Sequence, residues 1–435
     1  MTYPNPSHDN RSTVVRHRGR WLVLVFALVV AVVAGIVIIN VRRAADAVEA
    51  TTTAADEVRP TPPVLGSKQF EVKLSDRPGA DPVVVAAGPG FAVLVDNTVT
   101  SYSPEGAERW HYRRTDTDIT NVRAYDRGAV LIAALADNNT LVAFDANTGQ
   151  QLWTSQDKDL RGAFDGYTNK AGNDLRRPPP ALFLALHKFG TQMIGFDPRT
   201  GSQAWSQSIG CANTAYTPTQ MVCLNVFGDH IRAAVIDSAT GTRTADLKAP
   251  IPGAGQPQTW VFLTPRLVTS GQGVVMGLWF STTRPNVKVP SQTVYLNTTT
   301  GASVNLDVED AVATGDDERG DFLISEIQDS VVTAVTLNDS QGAPRCTFTP
   351  AAAPTTAADR PATVWLHDQI VSVIDHGDSD LPKHALSTFD RDCRQLSSVP
   401  APANTTLTDI IPAHGATIVV RSDGTGTHID GYAPR

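Results

Sequence analysis

The sequence has no Cys-x-x-Cys, no adjacent cysteine pair, no HExxH, no GxSxG, no Walker A loop and no GxGxxG opening a helix. These absences remove the usual spacings for zinc, thioredoxin-like redox chemistry, zinc proteolysis, serine hydrolysis and nucleotide binding. Lysine is scarce, with eight against 28 arginines. Positive charge is scarcest in the body of the chain. The formal net charge is −8, but residues 1–43 hold six Arg against one Asp, which leaves the remainder at −13. A body that acidic is a poor partner for nucleic acid or an anionic membrane surface. From Lys68 onward there is no sustained 3.6-residue apolar period, so a helical domain is not expected.

One long apolar run is present. Trp21–Ile39 spans 19 residues without a charge, close to the ~20 that cross a bilayer. Four Arg precede it and two follow, so the positive-inside rule places residues 1–20 in the cytoplasm and the rest outside the plasma membrane. The rival is a cleaved secretory signal. Its apolar core would be unusually long, and Arg42 and Arg43 stand where small residues are wanted. The expected organisation is a disordered cytoplasmic tail (1–20), a transmembrane helix (21–40), an extracytoplasmic linker (41–66) and a folded body (67–435). The linker is read from its Ala, Thr and Pro content.

The four cysteines, Cys211, Cys223, Cys346 and Cys393, all follow the apolar run. An even count in an exported body suggests disulfides. Twelve residues between Cys211 and Cys223 suit two neighbouring strands, which leaves Cys346 with Cys393. Free buried thiols are the alternative.

Beyond Lys68 the apolar runs are short and alternating, with Gly, Asp, Asn and Pro between them, an all-β pattern. Within it one device recurs. LVAFDANTGQQLW carries Asp145, Gly149 and Trp153; QMIGFDPRTGSQAW carries Asp197, Gly201 and Trp205; TVTSYSPEGAERW keeps Gly106 and Trp110. Weaker copies keep Asp237 with Gly241, and Asn297 with Gly301. Another has Gly342, with Cys346 in the Trp place. A last one keeps Asp390, with Cys393 in the Gly place. The apolar residues before these turns run Tyr102, Phe144, Phe196, Ile236, Leu296, Leu337, Phe389 and Tyr432. Spacings of 40 to 60 residues between them imply a β-propeller of about four strands per unit.

Each residue type has a physical reason. The Asp side chain accepts turn amides, Gly supplies the left-handed conformation that closes a hairpin, and Trp fills space between blades. The recurring Asp residues are therefore turn carboxylates and not a catalytic set. KQFEVKL, residues 68–74, reads as a spare first strand that completes the last unit. That gives eight blades, or seven if the unit around Phe389 is not a full blade. The wider steps predict long loops at 157–180 and 251–290.

The FDANTGQQLW and FDPRTGSQAW copies resemble the PQQ-type propeller repeat, whose hallmark is a D-x-x-T-G-x-x-x-W run. That family includes quinoprotein dehydrogenases and BamB-type outer-membrane assembly lipoproteins, which are eight-bladed scaffolds. The chain departs from both. BamB-like lipoproteins are anchored through an N-terminal Cys, and here no Cys precedes Cys211. The dehydrogenases carry adjacent cysteines over the cofactor and an acidic calcium site, and here no cysteines are adjacent. The Arg, Ala and Thr content with such an anchor suits a high-GC actinobacterium.

No catalytic, cofactor-binding or metal-binding residues are assigned. His376, Asp378 and Asp380 form the nearest metal-like cluster, and residues 315–321 form an acidic loop without EF-hand spacing. Both read as polar loops. The resulting expectation is a non-enzymatic, membrane-anchored propeller that binds or scaffolds an envelope protein or glycan. A ligand-sensing ectodomain and a quinone-dependent dehydrogenase are the alternatives.

Overall fold

The structure is a computed structural model describing residues 47–434 apart from internal segments. The longest of these are 76–81, 167–181, 187–191, 252–259, 267–272, 281–290, 355–362 and 376–383. Trp21–Ile39 lies outside the described residues, and among the described residues no helix is long and apolar enough to cross a membrane. The chain divides into two compact units, residues 1–49 with 114–116, and residues 50–113 with 117–435. In the first, the Thr115 N–H donates to the Ala47 carbonyl at 3.0 Å and Arg114 pairs with Asp116 at 2.6 Å.

The second unit is all-β, with eight antiparallel sheets among the described residues. Residues 83–114, 119–155, 213–250, 260–305, 311–348 and 363–400 each contribute four strands in chain order, every strand hydrogen-bonded to the next. The third sheet, within 182–208, holds three strands among the described residues. In the eighth, Thr406–Ala413, Ala416–Asp423 and Gly426–Ala433 are completed by Ser67–Ser75 from the start of the unit. Lys68 there pairs with Tyr432 and Val72 with Ile429, as the spare strand of the sequence requires. Central strands such as Val130–Leu135 are buried along their whole length. Outer strands such as Gln203–Ser208 bury little besides one wedge residue. That contrast fits sheets packed face to face against their neighbours.

Three expectations change. The segment 251–290 is not one loop: Trp260–Arg266 and Gly273–Phe280 are paired strands within it. Pro265 weakens the strand reading in sequence, yet it sits on the first strand of its sheet, where one side makes no ladder bonds. In 157–180, Lys158–Gly166 is an α-helix, capped by Asp157, whose Oδ1 accepts from Asp159 N at 2.8 Å and Leu160 N at 3.0 Å. The helix buries Leu160, Ala163 and Phe164 against Tyr125, Ile132 and Ile194. Residues 167–180 lie outside the described residues.

The third change concerns the linker, whose second half is laid along the sheets. Thr51 N donates to His111 O and Thr53 N to Thr148 O, while Gly415 N donates to Pro60 O and Asp368 N to Pro63 O, all at 2.9–3.1 Å. Leu65 N donates to Gln369 Oε1 at 3.1 Å, and Asp56 pairs with Arg109 at 2.8 Å. Residues 51–65 thus strap the first and second sheets, then the eighth and then the seventh. A Pro-rich extended chain suits this, since it costs little further entropy to order.

Candidate functional site

The recurring turns come first, because they hold the predicted residues. In the second sheet Asp145 Oδ1 accepts from Asn147 N at 3.1 Å and Thr148 N at 3.0 Å, and Gly149 N donates to Asp145 O at 2.9 Å. Asp197 accepts from Arg199 N at 2.8 Å, Asp237 from Thr240 N at 2.8 Å and Asn297 from Thr300 N at 2.9 Å. Asp390 accepts from Asp392 N and Arg394 N, both at 2.9 Å. The Arg394 amide foremost, with that of Asp392, holds the Asp390 carboxyl below its ordinary value. In the first sheet Ser103 stands in for Asp, its Oγ accepting from Glu105 N at 3.2 Å. In the sixth, Asp339 does the work, accepting from Gln341 N and Ala343 N at 2.9 Å. Sequence reading passed over both, because Ser103 is not an Asp and Asn338 stands four residues before Gly342, where the longer turns have their Asp.

Each turn also receives a side chain from the preceding sheet. Trp110 is fully buried, and its Nε1–H donates to Ala146 O at 3.0 Å. Its ring lies so close on Gly149 that a Cβ there would come within 2.7 Å of it. Gly149 also has φ +75°, so two independent constraints select glycine. Trp153 repeats this on the third sheet, with Nε1–H to Pro198 O at 2.9 Å and its ring on Gly201. Trp205 does so on the fourth, with Nε1–H to Ser238 O at 3.1 Å and its ring on Gly241. The accepting carbonyl always belongs to the residue after the turn Asp. A one-residue register shift precedes Trp110, Trp153 and Trp205, and such a bulge re-aims the residue that follows.

Where Trp is absent, another group fills the slot. Leu247 packs on Gly301. Tyr295 packs on Gly342 and donates its hydroxyl to Ser340 O at 3.1 Å. Phe70, on the completing strand of the eighth sheet, packs on Gly106 of the first. Between the sixth and seventh sheets the slot is covalent. Cys346, opposite Leu337 as Trp153 is opposite Ala143, is disulfide-bonded to Cys393 with Cα atoms 5.9 Å apart. Cys393 holds the turn-glycine position with φ +58°. The other disulfide, Cys211–Cys223, has its Cα atoms 5.3 Å apart. It belongs to a buried cluster that includes Met193 and Trp205 of the third sheet, with Cys211 Sγ 3.7 Å from Met193 Sδ. Both pairings are those the spacing suggested.

The eighth sheet carries a charge network that joins buried Arg421 and Asp430 to exposed Lys68 and Glu71 on its completing strand. Arg421 pairs with Asp430 at 3.1 Å, with Asp423 at 3.0 Å and with Glu71. Lys68 pairs with Asp430 at 2.9 Å and with Glu71 at 2.8 Å. The Lys68 hydrogen bond lowers the Glu71 carboxyl. Hydrogen bonds from Thr425 hold Asp423 down to about 2. Burial alone would lower Lys68, but Glu71 and Asp430 outweigh it and raise its pKa. These ions tie Ser67–Ser75 into its sheet, and among the described residues no cluster of His, Cys, Asp and Glu is placed to hold a metal. Asp321, from the acidic loop of the sequence, is buried against Arg345 at 2.8 Å and Arg391 at 3.2 Å. His376, Asp378 and Asp380 lie outside the described residues.

The open concave site is a cleft of about 580 Å³ beside the Cys211–Cys223 disulfide. Ser208, Ile209 and Gly210 form one wall. Asn225, Phe227, Arg232 and Lys248 of the fourth sheet form the other. Arg232 lies directly opposite both Asn225 and Lys248 across the strands. Its guanidinium sits 5.3 Å from the Phe227 ring centroid. Phe227 is 49% exposed, unusual for so large an apolar side chain here. Arg243 also lines the cleft but is paired with Asp246. Nothing in the repeat motif pointed here, since these residues lie between turns.

Residues 65–222 match a family model described as outer membrane protein assembly factor BamB, of the PQQ-like repeat type. No curated protein matches the sequence significantly. Among solved structures, a dihydro-heme d1 dehydrogenase, NirN, is similar over 80% of this chain and 74% of its own, at 12% identity and a TM-score of 0.43. That likeness is too distant to carry an argument. The family match and the Asp-Gly-Trp turns coincide, so the chain carries the PQQ-like, BamB-like β-propeller repeat over residues 65–222.

Proposed function

We propose that this chain is a non-enzymatic binding or scaffolding module of the cell envelope, an eight-bladed propeller held outside the plasma membrane by Trp21–Ile39. One observation carries the reading. The recurring carboxylates are engaged in turn hydrogen bonds, while successive sheets are locked by side chains on the next turn. Polar groups spent on rigidity leave a stiff body whose loops and clefts are free to present contacts. The eight sheets, the last completed by Ser67–Ser75, support a closed ring. The apolar run with flanking arginines supports the anchor.

Photo-crosslinking in intact cells tests this. A defined envelope protein or glycan should be captured. A chain without neighbours, or purified protein showing quinone absorbance with alcohol or sugar oxidation, would overturn it. A ligand-sensing role is the second reading, favoured by the cleft, whose volume falls in the range of small-ligand sites.

A further inference from the structure

We infer that the cleft between the third and fourth sheets binds an acidic, extended peptide segment of a partner protein. This rests on the binding-module reading and names the site and its ligand class.

Arg232 and Lys248 face each other directly across neighbouring strands, and like charges in that register destabilise a sheet. Neither has a carboxylate partner among the described residues, where the Asp246 that lines the cleft is engaged by Arg243. Elsewhere the body carries a large excess of acid, and its cations are commonly paired, as at Arg421, Arg345 and Arg391. The fold therefore gains nothing from this pair, and a ligand that brings negative charge removes the repulsion. Phe227 offers an exposed ring beside them, already contacted by Arg232. That suits an apolar or planar side chain next to the acids. Asn225, on the same face, is engaged in holding the cleft wall, its Nδ2 donating to Gly210 O at 2.7 Å.

A peptide is favoured over a free anion by the strand that bounds the cleft. Arg243–Pro250 is the last strand of its sheet, so its outer side presents backbone groups that a strand of another chain can satisfy. In a peptide strand added beside Arg243–Pro250, residues at alternate positions point to one face, and an acid on that face stands next to Lys248 with Arg232 on the strand behind.

The test uses the full-length protein in detergent and the synthetic peptide Ac-Thr-Glu-Thr-Glu-Thr-Phe-Thr-NH2, whose acids and Phe share one face when extended. Its Gln-for-Glu analogue and inorganic phosphate serve as comparison probes. Calorimetry should show the acidic peptide binding at least about tenfold more tightly than the Gln analogue. Binding should weaken with salt and be lost in Arg232→Gln/Lys248→Gln, while that variant melts no lower than the parent. Phe227→Ala should weaken binding severalfold. Equal affinity for both peptides, binding unaffected by the double substitution, or phosphate binding as tightly as the peptide would each overturn the inference. A partner crosslinked equally well by the double variant would refute this cleft while leaving the scaffold reading standing.

Discussion

The junction between the second and third sheets and that between the sixth and seventh fill one slot with different chemistry. In the first, Trp153 lies on Gly201 and donates to Pro198 O. In the second, Cys346 and Cys393 occupy the Trp and Gly positions and are covalently joined. The slot is thus defined by backbone, a bulged outer strand facing a tight turn, and its occupant is interchangeable. A third junction sharpens the point. The eighth sheet is assembled from both ends of the unit, so no hairpin joins its two outer strands. Nothing can be wedged there from the seventh sheet. That junction is instead packed by an apolar cluster including Leu366, Leu407 and Val419, with Leu65 of the strap against it, and the strap bonds to both sheets.

The largest way to break this comparison is Trp110→Ala. Trp110 is fully buried, so urea unfolding should show a loss of about 3–5 kcal/mol, and the half-exposed Trp153→Ala should lose less. Removing the covalent counterpart with Cys346→Ser/Cys393→Ser should cost about 2–4 kcal/mol by the same measurement, and reductant should then have no further effect at that junction. The charge network of the eighth sheet gives a smaller, pH-dependent effect. Glu71 and Asp423 have lowered folded-state pKa values. Their contribution is present above the ordinary carboxylate range and is lost as pH falls from about 4 toward the Asp423 value of about 2. Protection from hydrogen exchange, taken relative to the intrinsic rate at each pH, should therefore fall in Ser67–Ser75 on acidification before it falls in Val130–Leu135.

The repeat was legible where one turn type recurs unchanged. Asp145, Gly149 and Trp153 could be read from the sequence because their spacing is set by local backbone geometry. What the Trp touches could not, because its partner lies a whole repeat away, at Gly201. Phe70 fills the slot from the equivalent bulged place on an outer strand, but that strand lies at the other end of the chain, and Tyr295 fills it from another strand of its sheet, so no fixed spacing reveals them. The strand Trp260–Arg266 was hidden by Pro265, and the helix Lys158–Gly166 is too short to show a period. The strap of residues 51–65 looked like a spacer, because many of its contacts are made by backbone groups and its few side-chain contacts, as at Asp56 and Leu65, follow no period. The cleft residues Phe227, Arg232 and Lys248 become a group only when three strands are set in register.

The interchangeable slot is tested most directly by rebuilding the wedge where the disulfide stands. Urea unfolding of Cys346→Trp/Cys393→Gly should be compared with that of Cys346→Ser/Cys393→Ser, both under reducing conditions. The account predicts that the Trp–Gly pair recovers most of the stability the serine pair loses. A Trp–Gly variant no more stable than the serine variant would contradict it.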